Sequence, residues 1–276
     1  MTPSASRKVE RALDRVCAEH PRLLPSVTPT HQRITFSELC SPPAVRDALT
    51  AAKDIFKLTA PKHCGQLWLY TLMGDIVSPS VMTMVTEDIA VNLEPDSGVL
   101  FRRDDTELAS GYWYGWRPLT VAESYRSASA SLGKALGPLV ETLCQEAGLR
   151  PAPLWAVIAD GLVQPAMSAG NDELETHRAL NIAIELIAGL NEGADAAVPA
   201  VRIEQIVNGQ FCPLGEEEPD YLVAHRSSCC MIFHSPIADM CTSCPHQRKM
   251  SERLLWSLHP NSLARLGTSS ERWTNR

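Results

Sequence analysis

At 276 residues and 45% hydrophobic, the chain can bury a substantial core, in one large domain or one with a small appendage. Its net charge of −7 excludes a general nucleic-acid binder, which shows a basic face. No run reaches the roughly 18 apolar residues of a membrane span, and residues 1–10 lack the apolar stretch of a secretory signal, so a cytoplasmic protein is expected.

In chain order, Val9, Leu13 and Val16 share one face of a first helix that Pro21 ends. A loop rich in Pro and Thr is expected to run to about Ser41. Ser41 then caps a second helix, with Pro42 in its first turn and Val45, Leu49, Ala52 and Phe56 on its inner face. Residues 66–86 are apolar and Met-rich and predict a buried helix broken near Pro79. Residues 88–94 and 98–103, joined by Pro95-Asp96-Ser97-Gly98, predict a β-hairpin centred on 89–101, which the aromatic patch Tyr112 to Trp116 extends.

Thr120 and Glu123 form a capping-box pattern ahead of a helix carrying Val121, Tyr125, Ala128, Leu132, Leu136, Leu139 and Leu143. Pro138 is expected to kink that helix or start another. Asp172 and Glu175 suggest a second box, opening a helix with Leu180, Ala183, Ile184 and Ile187. The Gly, Pro and Glu content of residues 209–219 predicts a loop between this body and the cysteine-bearing segment. The expected fold is mainly α with a small antiparallel β-sheet, an α+β class. A mainly helical body occupies 1–208, and a C-terminal segment at 209–276 packs on it.

Chemistry concentrates in that last segment. Cys229 and Cys230 are adjacent, ten residues intervene, and then comes Cys241-Thr-Ser-Cys244. In reducing cytosol, clustered cysteines hold metals or do chemistry more often than they form disulfides, and a total of nine suits a disulfide framework poorly. Cys17, Cys40, Cys64, Cys144 and Cys212 are scattered singly and read as small buried hydrophobes. One zinc takes four ligands at tetrahedral corners, usually from two Cys-x(2–4)-Cys knuckles. Only the second half here is a knuckle, and the side chains of adjacent cysteines tend to diverge. A 2Fe–2S cluster is a larger target whose two irons each take two thiolates. The spacing therefore favours the cluster and leaves zinc open. It differs from the common ferredoxin runs, and His225, His234 and His246 flank the cysteines without the paired Cys-x-His units of a Rieske centre. These histidines are loop residues or donors that tune the centre. Residues 245–276 hold six Lys/Arg against two Asp/Glu, a net +4 that leaves −11 on the rest of the chain. Such a tail is an ordinary solvated surface or a means of steering an anionic partner.

Arg226-Ser-Ser-Cys229-Cys230-Met-Ile-Phe, the ten-residue spacer and Cys241-Thr-Ser-Cys244-Pro245 together resemble the C-terminal signature of the FhuF-like ferric siderophore reductases. The resemblance implies that Cys229, Cys230, Cys241 and Cys244 ligate a 2Fe–2S cluster, with Arg226 and Pro245 at companion positions. His234-Ser-Pro departs from the Tyr- or Arg-containing run of the family, on the surface that meets a partner. More loosely, the helical body with its short hairpin looks similar to the family's first domain, which is related to the siderophore synthetase fold.

The implied activity is that of an iron–sulfur oxidoreductase: one-electron reduction of a ferric siderophore, foremost a hydroxamate, releasing ferrous iron in the cytoplasm. No Gly-x-Gly-x-x-Gly fingerprint marks a built-in nicotinamide or flavin domain, so an external donor such as a ferredoxin is expected. Arg226, His234, Arg248 and Lys249 are candidates for groups beside the cluster or its substrate. Trp68, Tyr70, Trp113, Tyr114 and Trp116, with Arg102, Arg103 and Arg126, either line a pocket for the chelate or form core and solvated edge. A helix around Trp256 is expected to pack the cluster segment onto the body. Two other readings remain open: a non-enzymatic 2Fe–2S redox sensor or electron carrier, and a zinc-stabilised siderophore-binding module.

Overall fold

The structure, a computed structural model, describes residues 3–103, 111–215, 217–241 and 244. Helix α1 (Pro3–Glu19) buries Val9, Leu13 and Val16 completely and packs on α6. The stretch expected as loop holds two single-turn helices, α2 (Leu24–Val27) and α3 (Phe36–Leu39). Thr35 and Glu38 box the second: Glu38 N–H donates to Thr35 Oγ1 at 3.2 Å and Thr35 N–H to the Glu38 carboxylate at 2.6 Å. Ser41 caps α4 (Pro42–Phe56) as its sequence predicts. Helices α5 (Pro61–Ile76) and α6 (Ser78–Glu87) meet at Val77, with Pro79 in the first turn of α6, where its missing N–H has no partner to lose.

The hairpin differs from expectation. Strand β1 (Gly98–Arg102) pairs antiparallel with β2 (Tyr114–Pro118), from Gly98 opposite Pro118 to Arg102 opposite Tyr114. The aromatic patch is thus the partner strand itself. Residues 88–94 contribute only a bridge from Val91 to Val121, and Pro95–Ser97 forms a 3-10 turn. Both Tyr114 and Trp116 are buried in this pairing.

Both later capping boxes also move. Helix α7 (Tyr125–Ala147) starts after Ser124, which boxes with Ser127, while residues 120–122 run extended beside 90–92. It continues unbroken through Pro138. Helix α8 (Pro151–Asp172) has no counterpart in the sequence expectations and consumes Asp172 as its last residue. Leu174 then turns left-handed (φ 57°), and α9 (Thr176–Gly193) begins after Glu175 without a side-chain cap. The inner face of α9 is Ala179, Ile182, Ala183, Leu186 and Leu190, whereas Ile184 is 52% exposed and Leu180 and Ile187 are half-buried. Two glycines let α9 lie against α7: a Cβ on Gly189 would sit 2.0 Å from the Arg126 carbonyl, and one on Gly193 2.0 Å from that of Ala130.

A second sheet comes next, in the order β4-β3-β5 and antiparallel throughout: β3 (Arg202–Val207), β4 (Gln210–Pro213) and β5 (Tyr221–His225). Asn208 and Gly209, with φ of 49° and 73°, make the two-residue left-handed turn that suits the twist of paired strands. The expected loop over 209–219 therefore holds strand β4, and β3, ahead of residue 208, pairs with two strands beyond it. With 59% helix and two small antiparallel sheets among the described residues, the fold is α+β.

Helix α8 is the axis of the molecule. Leu154, Trp155, Val157, Ile158, Leu162, Val163, Ala166 and Met167 place apolar side chains all around it, the pattern of a helix enclosed by protein. It touches α5, α6, α7, α9 and β5. Among the described residues, no helix is long and apolar enough to cross a membrane.

Candidate metal centre

One stripe of α8 stays polar. Asp160, Gln164 and Asn171 are separated by four and seven residues, spacings that keep them on one helical face. Strand β5 and the cysteine segment run down that stripe in the opposite direction. Asn171 takes the Leu222 N–H and donates to its carbonyl, at 2.8 and 2.9 Å. Gln164 donates to the Ala224 carbonyl at 2.9 Å. Asp160, only 1% exposed, accepts four hydrogen bonds, from the N–H and hydroxyl of Ser227 and of Ser228, at 2.5–3.1 Å. A buried carboxylate is tolerated only when so fully bonded.

Other contacts hold the segment from the far side. Gln66 of α5 donates to the Cys229 carbonyl at 2.7 Å, and Ser235 Oγ to the Phe56 carbonyl at the end of α4 at 2.6 Å. The rings of His234 and His63 stack at 3.6 Å and within 4° of parallel. Met231, in the left-handed region at φ 64°, turns the chain directly after the cysteine pair and donates its N–H to Cys229 Sγ at 3.3 Å.

This anchoring brings the cysteines together inside the protein. Cys229, Cys230 and Cys244 are buried and Cys241 is half-buried. Cys230 Sγ lies 3.8 Å from Cys241 Sγ, and Cys244 N–H donates to the Cys241 carbonyl at 3.0 Å, closing the knuckle. Hydrogen bonds from the thiols of Cys229 and Cys241 hold Cys230 well below the usual thiol range, with Arg226 adding to the effect. The same bonds push Cys229 and Cys241 upward, so negative charge gathers first on Cys230.

Arg226 stands over the group. It is 8% exposed, donates from Nη1 to Cys241 Sγ at 3.2 Å, and holds its guanidinium carbon 4.4 Å from the Tyr70 ring centre. Burial by itself would lower the Arg226 pKa, but Tyr70, Cys230 and Cys241 more than offset it and the net direction is upward. Its Nε and Nη2 are buried without a partner among the described residues.

The other residues singled out in the sequence fall in several places. His225 bonds Glu204 across the sheet at 2.5 Å. Trp68, Tyr114 and Trp116 are core, their polar atoms spent on the carbonyls of Tyr112, Gly111 and Pro95. Among the described residues they line no pocket large enough for a chelate. Arg126 pairs with Glu192 on the surface, and Arg103 with Asp75 while lying over the Trp113 ring. Of that aromatic set only Tyr70 joins the cysteines. Cys17 and Cys64 are buried while Cys40, Cys144 and Cys212 are half-buried, and all nine thiols are free. Pro245, His246, Arg248, Lys249 and Trp256 lie outside the described residues.

Comparison with known families bears on this segment. Residues 226–246 match the FhuF 2Fe-2S C-terminal domain, and the four cysteines are consistent with its motif. Among curated proteins, none matches the chain. The chain therefore carries a 2Fe–2S cluster-binding domain of the FhuF type and is an iron–sulfur redox protein. The residues suit that cofactor. Two thiolates bound at about 2.3 Å to one tetrahedral metal lie roughly 3.8 Å apart, the separation of Cys230 and Cys241. Arg226 Nη1 already donates to the Cys241 sulfur, the kind of hydrogen bond that tunes an iron–sulfur centre.

Proposed function

We propose that the protein is a ferric siderophore reductase whose cluster is held by Cys229, Cys230, Cys241 and Cys244. Ferric iron is a hard ion held tightly by hydroxamate or catecholate oxygens, and one electron makes it a softer, less charged ion that those ligands release. A bound 2Fe–2S cluster supplies single electrons, which is the unit this reaction needs. The chain's own residues provide the setting. The Asp160 stripe and Gln66 fix the cysteine backbone against rigid helices, so the donor set is formed before any substrate arrives. Enclosure by α5 and α8 keeps three of the four sulfurs from water, and the half-buried Cys241 marks the side from which electrons enter or leave.

His234, exposed four residues past Cys230, and Arg248 and Lys249, just past Cys244, are the groups we assign to contact with a bulky anionic chelate. The donor is an external one-electron protein of the ferredoxin kind. The setting we infer is the cytoplasm, where nine free thiols persist. The single observation that carries this reading is the match of 226–246 to the FhuF cluster domain on four clustered thiols.

The test is anaerobic. Reduced protein, freed of excess dithionite, is mixed with a ferric hydroxamate and a ferrous-specific chelator. The expected result is one ferrous iron trapped per reduced cluster. No ferrous iron from hydroxamate, catecholate or carboxylate complexes would leave an electron carrier or sensor in its place.

A further inference from the structure

The environment of the four cysteines is lopsided. Cys230 and Cys241 stand at the separation of two ligands on one tetrahedral metal, with the Arg226 cation bonded to Cys241. Cys229 faces a neutral donor, the Met231 N–H. Arg226 itself is buried, lies over Tyr70, and meets no carboxylate among the described residues. Such a cation is costly to bury without a partner, and what faces it here is the sulfur of Cys241 at 3.2 Å and the ring of Tyr70.

We propose that the two irons of the cluster are inequivalent. Cys230 and Cys241 hold one iron and Cys229 and Cys244 the other. When a one-electron donor reduces the cluster, the electron settles on the Cys230/Cys241 iron, because Arg226 stabilises the extra negative charge there. Arg226 is a tuning residue that acts through the hydrogen bond from its Nη1 to Cys241 Sγ. The inference depends on the cluster and not on the substrate, so its failure would leave the reductase reading standing.

The test uses full-length protein reconstituted with iron-57 and sulfide. Potentials are read by redox titration with electron paramagnetic resonance detection, and the ferrous site by Mössbauer spectroscopy. Cys230→Ser and Cys241→Ser should each alter the ferrous Mössbauer signature and lower the potential more than Cys229→Ser or Cys244→Ser. A serine oxygen is harder than sulfur and favours the ferric state. Arg226→Gln should shift the equilibrium between oxidised and reduced protein toward the oxidised form by about tenfold, 59 mV for a one-electron couple. Arg226→Lys should restore part of that shift. The proposal is overturned if the ferrous signature tracks Cys229 or Cys244, or if Arg226→Gln leaves the potential unchanged. Where a serine variant fails to hold a cluster, the two Arg226 variants still decide, because neither removes a ligand.

Discussion

Asp160 and Ser228 are joined twice: one carboxylate oxygen of Asp160 takes the Ser228 N–H at 2.9 Å and its hydroxyl at 2.5 Å. The residue directly before Cys229 is thereby pinned to a helix whose apolar side chains are buried all around it. The same carboxylate holds Ser227 through its other oxygen. A charged group inside the core thus serves a segment 68 residues away along the chain.

Asp160→Ala should separate cluster retention from folding. It leaves two N–H groups and two hydroxyls without an acceptor, at a cost of about 3 kcal/mol. Iron and sulfide per chain should fall after reconstitution while helical circular dichroism is kept. Full iron content with an unchanged melting curve would contradict the anchoring role.

Gly189→Ala should do the opposite. The new methyl group meets the Arg126 carbonyl and Ser129 Oγ, at 2.0 and 2.3 Å before relaxation, and must force α7 and α9 apart. The expected loss is about 1–3 kcal/mol of stability, read as a lower melting temperature. The cluster spectrum at temperatures below the melt should not change.

The capping residues give a paired test. Ser124→Ala removes the acceptor for the Ser127 N–H and should cost about 1 kcal/mol in thermal or denaturant unfolding. Thr120→Val should be neutral or slightly stabilising, since the Thr120 hydroxyl is buried with no partner among the described residues. The reverse order would restore the capping box at Thr120 that the sequence suggests.

The stacked histidines predict an acid-sensitive contact. Burial, then His234, then Lys62 hold the His63 pKa below its ordinary value. A histidine depressed in the folded state binds its proton more readily when unfolded, so its contribution is complete above about pH 6.5 and fades as pH falls through the folded value. Melting temperature measured from pH 8 down to pH 5 should drop less for His63→Phe than for the unaltered protein. Equal slopes would remove His63 as a cause.

The features legible in the sequence are local ones. The cysteine spacing lies within 16 residues, and the cap at Ser41 and the apolar face of α1 need only their neighbours. The hairpin failed because β1 pairs with residues 114–118 across an intervening segment, a choice set by packing that the local alternation of 88–94 does not reveal. The boxes at Thr120 and Asp172 failed because each motif is compatible with several positions, and tertiary contacts took those residues into an extended segment and into the end of α8.

Two further signals are present in the sequence. Asn208-Gly209 between apolar runs is a strong hairpin marker. Asp160, alone in the apolar run from Leu154 to Val163, signals a buried charge that must have a partner. Gln66, Tyr70 and His63 carry no such mark. They come to the cysteine segment from about 160 residues upstream, and only the fold reveals them.

The proposed function stands or falls on whether reduced protein passes its electron to iron held by a siderophore. Stopped-flow absorption of the dithionite-reduced, desalted protein against a ferric hydroxamate follows that step as it happens. The oxidised cluster spectrum should return in a single phase whose rate rises with siderophore concentration and then saturates, as a docked complex requires. Reduced protein that stays reduced in the presence of hydroxamate, catecholate and carboxylate complexes alike, while still yielding its electron to a ferredoxin, would contradict the reductase reading.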